Sequence, residues 1–188
     1  KSAQVFEYLN HAEDYGLNAD NINHDFKKVI ERSRNVASGM SKGVNFLMKK
    51  NKIDILKGFG KIKKNKVVSV DGTDYSAKHI IIATGAKSRV LPSIPQDGKQ
   101  VIGYREAMTL EKQPKSITIV GSGAIGIEFA YFYNSIGSDV TVIEYMPNIV
   151  PLEDVDVSKE LEKSFKKKGI KIMTSSEVIS VEKKKNKV

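Results

Sequence analysis

The sequence predicts an α/β fold in two textures: helices and β-hairpins over residues 1–114, then a doubly wound parallel sheet over 115–188. Three observations predict it. Between about residues 52 and 85, short β-type runs are separated by turn signals. From Lys115 onward, strand-like and helix-like runs alternate. Between them in logic, "SITIVGSGAIGIEFA" at 116–130 joins an alternating strand to an apolar helical run through three glycines.

Residues 2–14 carry Val5, Phe6, Leu9 and Ala12 at helical spacing, and Gly16 ends the run. Asp25 is placed to cap a second helix from about Phe26 to Lys50. Its apolar face would be Phe26, Val29, Ile30, Val36, Met40, Val44 and Leu47, while Gly39 and Gly43 predict a kink or a close approach. "KIDIL", "GFGKIKK", "KVVSVDGTDYSA" and "KHIIIATG" read as strands, punctuated at Gly58, Lys64–Asn65 and Asp71–Gly72. Asp-Gly between alternating residues signals a hairpin. "HIIIA" is a continuous β-branched run, which suits a strand buried on both faces. "KSRVLPSIPQDGKQ", with Pro92 and Pro95, reads as a linker, and "YREAMTLEKQP" as a short helix closed by Pro114. The boundary between the two textures is placed there.

Beyond it, "SITIVGSG" is a strand and turn and "AIGIEFAYFYNSIG" a helix ended by Gly137. "DVTVIE" is a second strand. "VSKELEKSFKKKG" is a helix with Asp156 or Ser158 near its cap and Gly169 at its end. "IKIMT" is a third strand, and "VISVEKKKNKV" starts a fourth. This βαβαβ series is the sequence form of a parallel sheet.

Composition narrows the function. With 40% hydrophobic and 28% charged residues the chain can build a core and stay soluble, and no apolar run approaches the ~20 residues that span a bilayer. There is no Cys, which excludes thiol nucleophiles, disulfides and thiolate metal sites within these residues. The three histidines, His11, His24 and His79, have no metal-ligand spacing. The net charge of +9 raises the question of a nucleic-acid or anionic partner. The lysines, however, cluster at 49–52, 61–66, 166–168 and 183–187, at turns, helix ends and the terminus, without the interleaved aromatics that stack bases. They read as a solvated surface, with neither nucleic acid nor membrane as partner. The chain opens without Met, in what reads as the middle of a helix, so it is expected to be a piece of a larger protein.

Gly121-Ser122-Gly123-Ala124-Ile125-Gly126 matches G-x-G-x-x-G in the context that gives this pattern meaning: a strand before, a helix after, and a second strand within about 30 residues. Gly121 permits the turn, Gly123 lets a pyrophosphate approach the backbone, and Gly126 lets helix and strand pack closely. The helix N-terminus offers unpaired N–H groups to phosphate. Glu144 ends the next strand, where a carboxylate accepts from ribose hydroxyls and would repel a 2′-phosphate. The expected ligand is NAD rather than NADP. Glu128 is either an ordinary first-turn acid favoured by the helix dipole or a contact near the far end of the dinucleotide; the pattern leaves both open.

Three stretches together, "HIIIATGAKSRVLPSIP", "YREAMTLEKQPKSITIVGSGAIGIEFA" and "VTVIEYMPNIVP", resemble the dihydrolipoamide dehydrogenase family of flavin-dependent pyridine-nucleotide disulfide oxidoreductases. "KSAQVFEYLNHAEDYG" resembles the stretch just after that family's redox-active cysteines. The resemblance covers essentially the whole chain. It implies a partial FAD-binding domain at 1–114 and a Rossmann-like NAD-binding domain at 115–188, incomplete at its C-terminus. It implies FAD contacts at Gly60, Thr84, Gly85 and Ala86. It implies NAD contacts at Gly121, Ser122, Gly123, Ala124, Ile125, Gly126, Glu128, Glu144 and Val178, with Ile125 and Glu128 towards the nicotinamide and Val178 against the adenine.

The family's reaction runs from dihydrolipoamide to a disulfide, then to FAD and to NAD. That route needs a Cys pair, a first glycine-rich loop and a C-terminal His with its acid. None is among these residues, so no catalytic residue is assigned and the chain by itself is expected to be inactive. The resemblance further implies lipoamide-bearing carrier proteins of 2-oxoacid dehydrogenase complexes as partners, a homodimer for the full-length protein, and a cytoplasmic location. Alternatives are another FAD/NAD disulfide oxidoreductase, of the mercuric reductase or transhydrogenase type, and a non-catalytic dinucleotide-binding or basic interaction module.

Overall fold

The computed structural model describes residues 1–185. The end of the last lysine run and of the expected fourth strand, 186–188, lies outside the described residues. The chain forms two compact units: Lys1–Glu31 with the chain from Ser88 onward, and Arg32–Lys87.

The first unit holds α1 (Ser2–Asn10), a 3₁₀ turn (Ala12–Tyr15), the start of α2 (Phe26–Lys50), α3 (Tyr104–Ala107), β4 (Ser116–Val120), α4 (Ala124–Ser135), β5 (Asp139–Ile143), α5 (Val155–Lys167) and β6 (Lys171–Met173). The three strands are parallel and in sequential order β4-β5-β6. Ser116 stands opposite Asp139 and Thr141 opposite Lys171. Parallel neighbours need crossovers long enough for a helix, and α4 and α5 supply them. β5 is central, so Val140 and Val142 are buried. They pack with Ala130, Tyr133 and Ile136, with Phe165 and Ile170, and with Ala3 of α1 and Phe26 at the head of α2.

Helix ends follow local chemistry. Gly137 and Gly169 close α4 and α5 at φ 93° and 82°, a region costly for residues with a Cβ. The α5 cap corrects the expected Asp156 or Ser158: Asp154 is the N-cap, and its side chain accepts from the Asp156 N–H at 2.8 Å. The first helix also stops earlier than its periodicity suggests. α1 ends at Asn10, and Ala12 is buried from the 3₁₀ turn that follows.

The second unit holds the rest of α2 and an antiparallel meander, β1 (Gly60–Lys63), β2 (Val67–Val70) and β3 (Thr73–Ser76). Val70 pairs with Thr73 across Asp71-Gly72. Both turn residues have positive φ, 47° and 88°, as a two-residue I′ turn requires. α2 runs unbroken through Gly39 and Gly43, and a Cβ at either would meet nothing within 4 Å among the described residues, so the expected close approach is not found there. Its face from Val36 to Leu47 is exposed.

Two expected strands do not form. "KIDIL" is irregular, and 77–91, including "HIIIA", makes no strand, with Ile81 90% exposed. A strand exists only through a neighbour that takes its N–H and C=O groups. Among the described residues only Ala77, whose N–H bonds the Lys66 carbonyl at 3.1 Å, extends the hairpin pairing, and the rest of the segment has no ladder partner. "VISVE" likewise has no ladder partner through Glu182.

Charge is segregated between the units. Arg32–Lys87 contains thirteen Lys and Arg against three Asp and Glu, a formal +10, leaving −1 for the remaining residues.

Candidate functional site

The glycine loop lies at the C-terminal edge of β4, where parallel sheets gather ligands. Gly121 turns the chain at φ 99°, and its N–H still bonds the Ile143 carbonyl at 2.8 Å, so the loop leaves directly from the β4–β5 ladder. Gly126 has no alternative. A Cβ there would stand 2.1 Å from the Gly121 carbonyl oxygen and 3.3 Å from Ile119 Cγ2. Gly123 differs in kind. It caps α4 at φ −64°, and a Cβ would meet nothing within 4 Å. The glycine therefore answers no need of the protein's own packing and leaves open ground before the helix. No side chain caps Gly123, and the amides of the first turn have no intrahelical acceptor. An anionic group fits that end of α4.

Glu144 is 6% exposed and already engaged. Its Oε2 accepts from the Ser122 N–H at 2.7 Å and from the Ser122 hydroxyl at 2.6 Å, and its Oε1 accepts from the Met146 N–H at 2.8 Å. Burial pushes the carboxyl pKa up, but the hydrogen bonds from the Met146 N–H and from Ser122 outweigh it and hold the group below the ordinary carboxylate value. A carboxylate offers about four acceptor positions; Ser122 takes two on Oε2, and the amides of Met146 and Tyr145 also bond the group.

The loop and Glu144 are thus brought together. The chain after β6 joins them: Ser175 N–H bonds the Met146 carbonyl and Ser176 N–H the Glu144 carbonyl, each at 2.9 Å. Val178 follows two residues later and is half-buried. Ile125 and Glu128 are exposed on the first turns of α4. Ser122 is fully buried, with its side chain behind the loop. Sequence reasoning missed two participants, the Met146 and Val150 amides. Backbone donors carry no residue-type signal, so only the return of the chain over the loop shows them.

Gly60, Thr84, Gly85 and Ala86 belong to Arg32–Lys87. Gly60 opens β1, and a Cβ there would make only an ordinary contact with Val68. Gly85 has φ 75°, a conformation that suits glycine, and Thr84, Gly85 and Ala86 are exposed on the unpaired segment. A groove of about 370 Å³ in this unit is lined by Asn45, Lys49, Lys52, Ile53, Asp54 and Ile55, none of them among the expected flavin contacts. Two of the three histidines serve local structure: His24 Nε2 lies 2.7 Å from Gln113 Oε1, and His11 Nδ1 2.9 Å from the Glu7 carbonyl.

Known proteins resemble this chain in sequence and fold. The family described as pyridine nucleotide-disulphide oxidoreductase matches residues 7–188. Dihydrolipoyl dehydrogenase of Rhizobium etli is 46% identical, over 97% of this chain and 42% of its own length. The enzyme of the same name from Zymomonas mobilis is 42% identical, over 94% and 39%. The crystal structure of LpdA from Mycobacterium tuberculosis superposes with a TM-score of 0.83 over 95% of this chain and 40% of that one; at 24% identity it shows the fold. The flavoprotein disulfide reductase RclA of Escherichia coli, 26% identical, gives 0.64 over 93% and 39%. The chain spans about two fifths of the length of these relatives. It shares the α/β fold of these structures and belongs to the pyridine nucleotide-disulphide oxidoreductases.

Proposed function

We propose that this chain supplies the NAD-binding region and part of the FAD-binding region of a dihydrolipoamide dehydrogenase, with 1–114 serving the flavin and 115–188 the nicotinamide nucleotide. The observation that carries this reading is the pairing of an open helix N-terminus at Gly123 with a buried, ionised Glu144 bonded to the same loop. The first suits a pyrophosphate and the second a ribose diol. Gly126 is demanded by packing and Gly123 is not, which supports a ligand before the helix.

In this reading Gly121 to Gly126 hold the NAD phosphates, Glu144 takes a ribose hydroxyl, Val178 lines the adenine end, and Ile125 and Glu128 face the nicotinamide end. Gly60, Thr84, Gly85 and Ala86 would hold FAD, which would supply a two-electron acceptor for a dithiol. The chain has no Cys. The disulfide that oxidises dihydrolipoamide to lipoamide therefore comes from other parts of the full protein, and these 188 residues alone are inactive. The identity of the relatives supports carrier proteins bearing dihydrolipoamide as partners and a homodimer; a cytoplasmic setting is proposed on the family resemblance alone.

Glu144→Arg tests the nucleotide assignment in the full protein, with NADH binding followed by fluorescence. Loss of a charge-assisted hydrogen bond predicts roughly ten- to hundredfold weaker NADH binding, with NADPH relatively favoured. Unchanged binding of both nucleotides would remove Glu144 from the site.

A further inference from the structure

Ser122 is a fully buried hydroxyl inside a loop whose next three members, Gly123, Ala124 and Ile125, are exposed. Its oxygen lies 2.6 Å from Glu144 Oε2 and 3.2 Å from the Val150 nitrogen. The proton roles are forced: a carboxylate only accepts and an amide only donates. The single Ser122 proton therefore goes to Glu144, and an oxygen lone pair takes the Val150 N–H. None of the hydroxyl's donating capacity is left for a ligand.

Val150 makes the second half of the case. It sits at φ 41°, a region that β-branched residues avoid and occupy only where surroundings over-determine them. Its N–H is shared between the Ser122 carbonyl at 3.1 Å and the Ser122 hydroxyl, and its neighbour Ile149 is fully buried. One serine thus ties together the glycine loop, the carboxylate at the end of β5 and the turn that follows. The acid cannot rotate without breaking bonds to the same loop that offers its helix N-terminus to phosphate.

We propose that Ser122 is a positioning residue for nucleotide selection: through its hydroxyl it fixes the orientation in which the Glu144 carboxylate meets a ribose hydroxyl. This rests on the reading of Glu144 as the ribose acid. Ser122 itself does not touch the nucleotide through its side chain.

The test is a double-mutant cycle in the full protein, with Ser122→Ala, Glu144→Gln and the pair, read by NADH and NADPH binding and by KM and kcat for NAD. Loss of the hydroxyl should weaken NADH binding and raise KM for NAD about tenfold, leave kcat within about twofold, and narrow the NADH over NADPH preference. It should also move the acid limb of NADH binding to higher pH. In the Glu144→Gln background the same change should have little further effect. Ser122→Cys keeps the side-chain volume but donates weakly. It should behave like Ser122→Ala, with thermal unfolding confirming a folded protein. If Ser122→Ala leaves affinity and preference unchanged while Glu144→Gln weakens NADH binding, the positioning role is overturned and the ribose acid stands. Equal loss in both backgrounds also overturns it. If Glu144→Gln leaves NADH binding intact, the underlying reading of Glu144 has failed.

Discussion

Gly126→Ala separates what the glycine loop owes to packing from what it owes to a ligand. The added Cβ would begin 2.1 Å from the Gly121 carbonyl oxygen, and relief requires a shift of about 1 Å, since carbon and oxygen rarely approach within about 3 Å. That carbonyl cannot retreat freely. The Gly121 N–H is bonded at 2.8 Å to Ile143, so movement strains the β4–β5 ladder. Overpacking of this kind costs about 3 kcal/mol at the upper end of the usual range. Alanine regains about 1 kcal/mol of helix propensity over glycine, leaving a net loss of ~2 kcal/mol. For a domain of this size that lowers the melting temperature by about 4–8 °C. Gly123→Ala is the control. With φ −64° and open space around a Cβ, its stability should change by no more than about 0.5 kcal/mol, yet NADH binding should fall, because the methyl occupies the approach to the helix N-terminus. Calorimetry and fluorescence titration on the two variants of the full protein read both effects. A Gly126→Ala protein melting with the parent, or a Gly123→Ala protein as destabilised as Gly126→Ala, would refute the reasoning.

Other outcomes follow from single contacts. Tyr133 is fully buried and its hydroxyl donates to the Ala107 carbonyl at 2.5 Å, so Tyr133→Phe should cost about 1–3 kcal/mol in equilibrium unfolding. Burial pushes the Tyr133 pKa from 10.0 up to about 12. Because the folded value is the higher one, its stabilising share is intact below pH 10 and is lost as pH rises towards about 12; alkaline unfolding should be flatter in Tyr133→Phe. Asp154→Ala removes the α5 cap and should cost about 1 kcal/mol, whereas Asp154→Asn should recover most of it in urea denaturation. Glu144 titrates below its ordinary 4.5 in the folded protein. Its contribution to stability is therefore full above pH 4.5 and fades only as pH falls through the lower folded value. Acid unfolding of Glu144→Gln should lack that component.

Much of the site was legible because it depends on local chemistry. The three glycines, the strand before them and the acid 18 residues beyond Gly126 all follow from short-range pattern, and each takes its expected place on β4, α4 and β5. The Asp71-Gly72 hairpin was legible for the same reason, since a two-residue turn with two positive φ angles selects those residues. What failed was what needs a distant partner. "HIIIA" has the composition of a buried strand, but composition cannot supply the neighbouring ladder, and Ile81 stands exposed. The α2 stripe marks a face without saying what covers it. Ser122 was read as a loop residue towards the ligand, and its side chain turns inward because Glu144 and Val150, 22 and 28 residues away, arrive behind it.

By itself, then, the sequence determined the order of strands and helices after Pro114, the position of the glycine loop and the charge at the end of β5, because turn geometry and helix and strand periods act over a few residues. Only the tertiary structure decided why Gly126 admits no side chain, that Gly123 faces open space, and that Glu144 is held by Ser122 and the chain that follows it. Those facts depend on close contacts between segments brought together by the parallel sheet, and distances of that kind are set by packing rather than by any local run of residues.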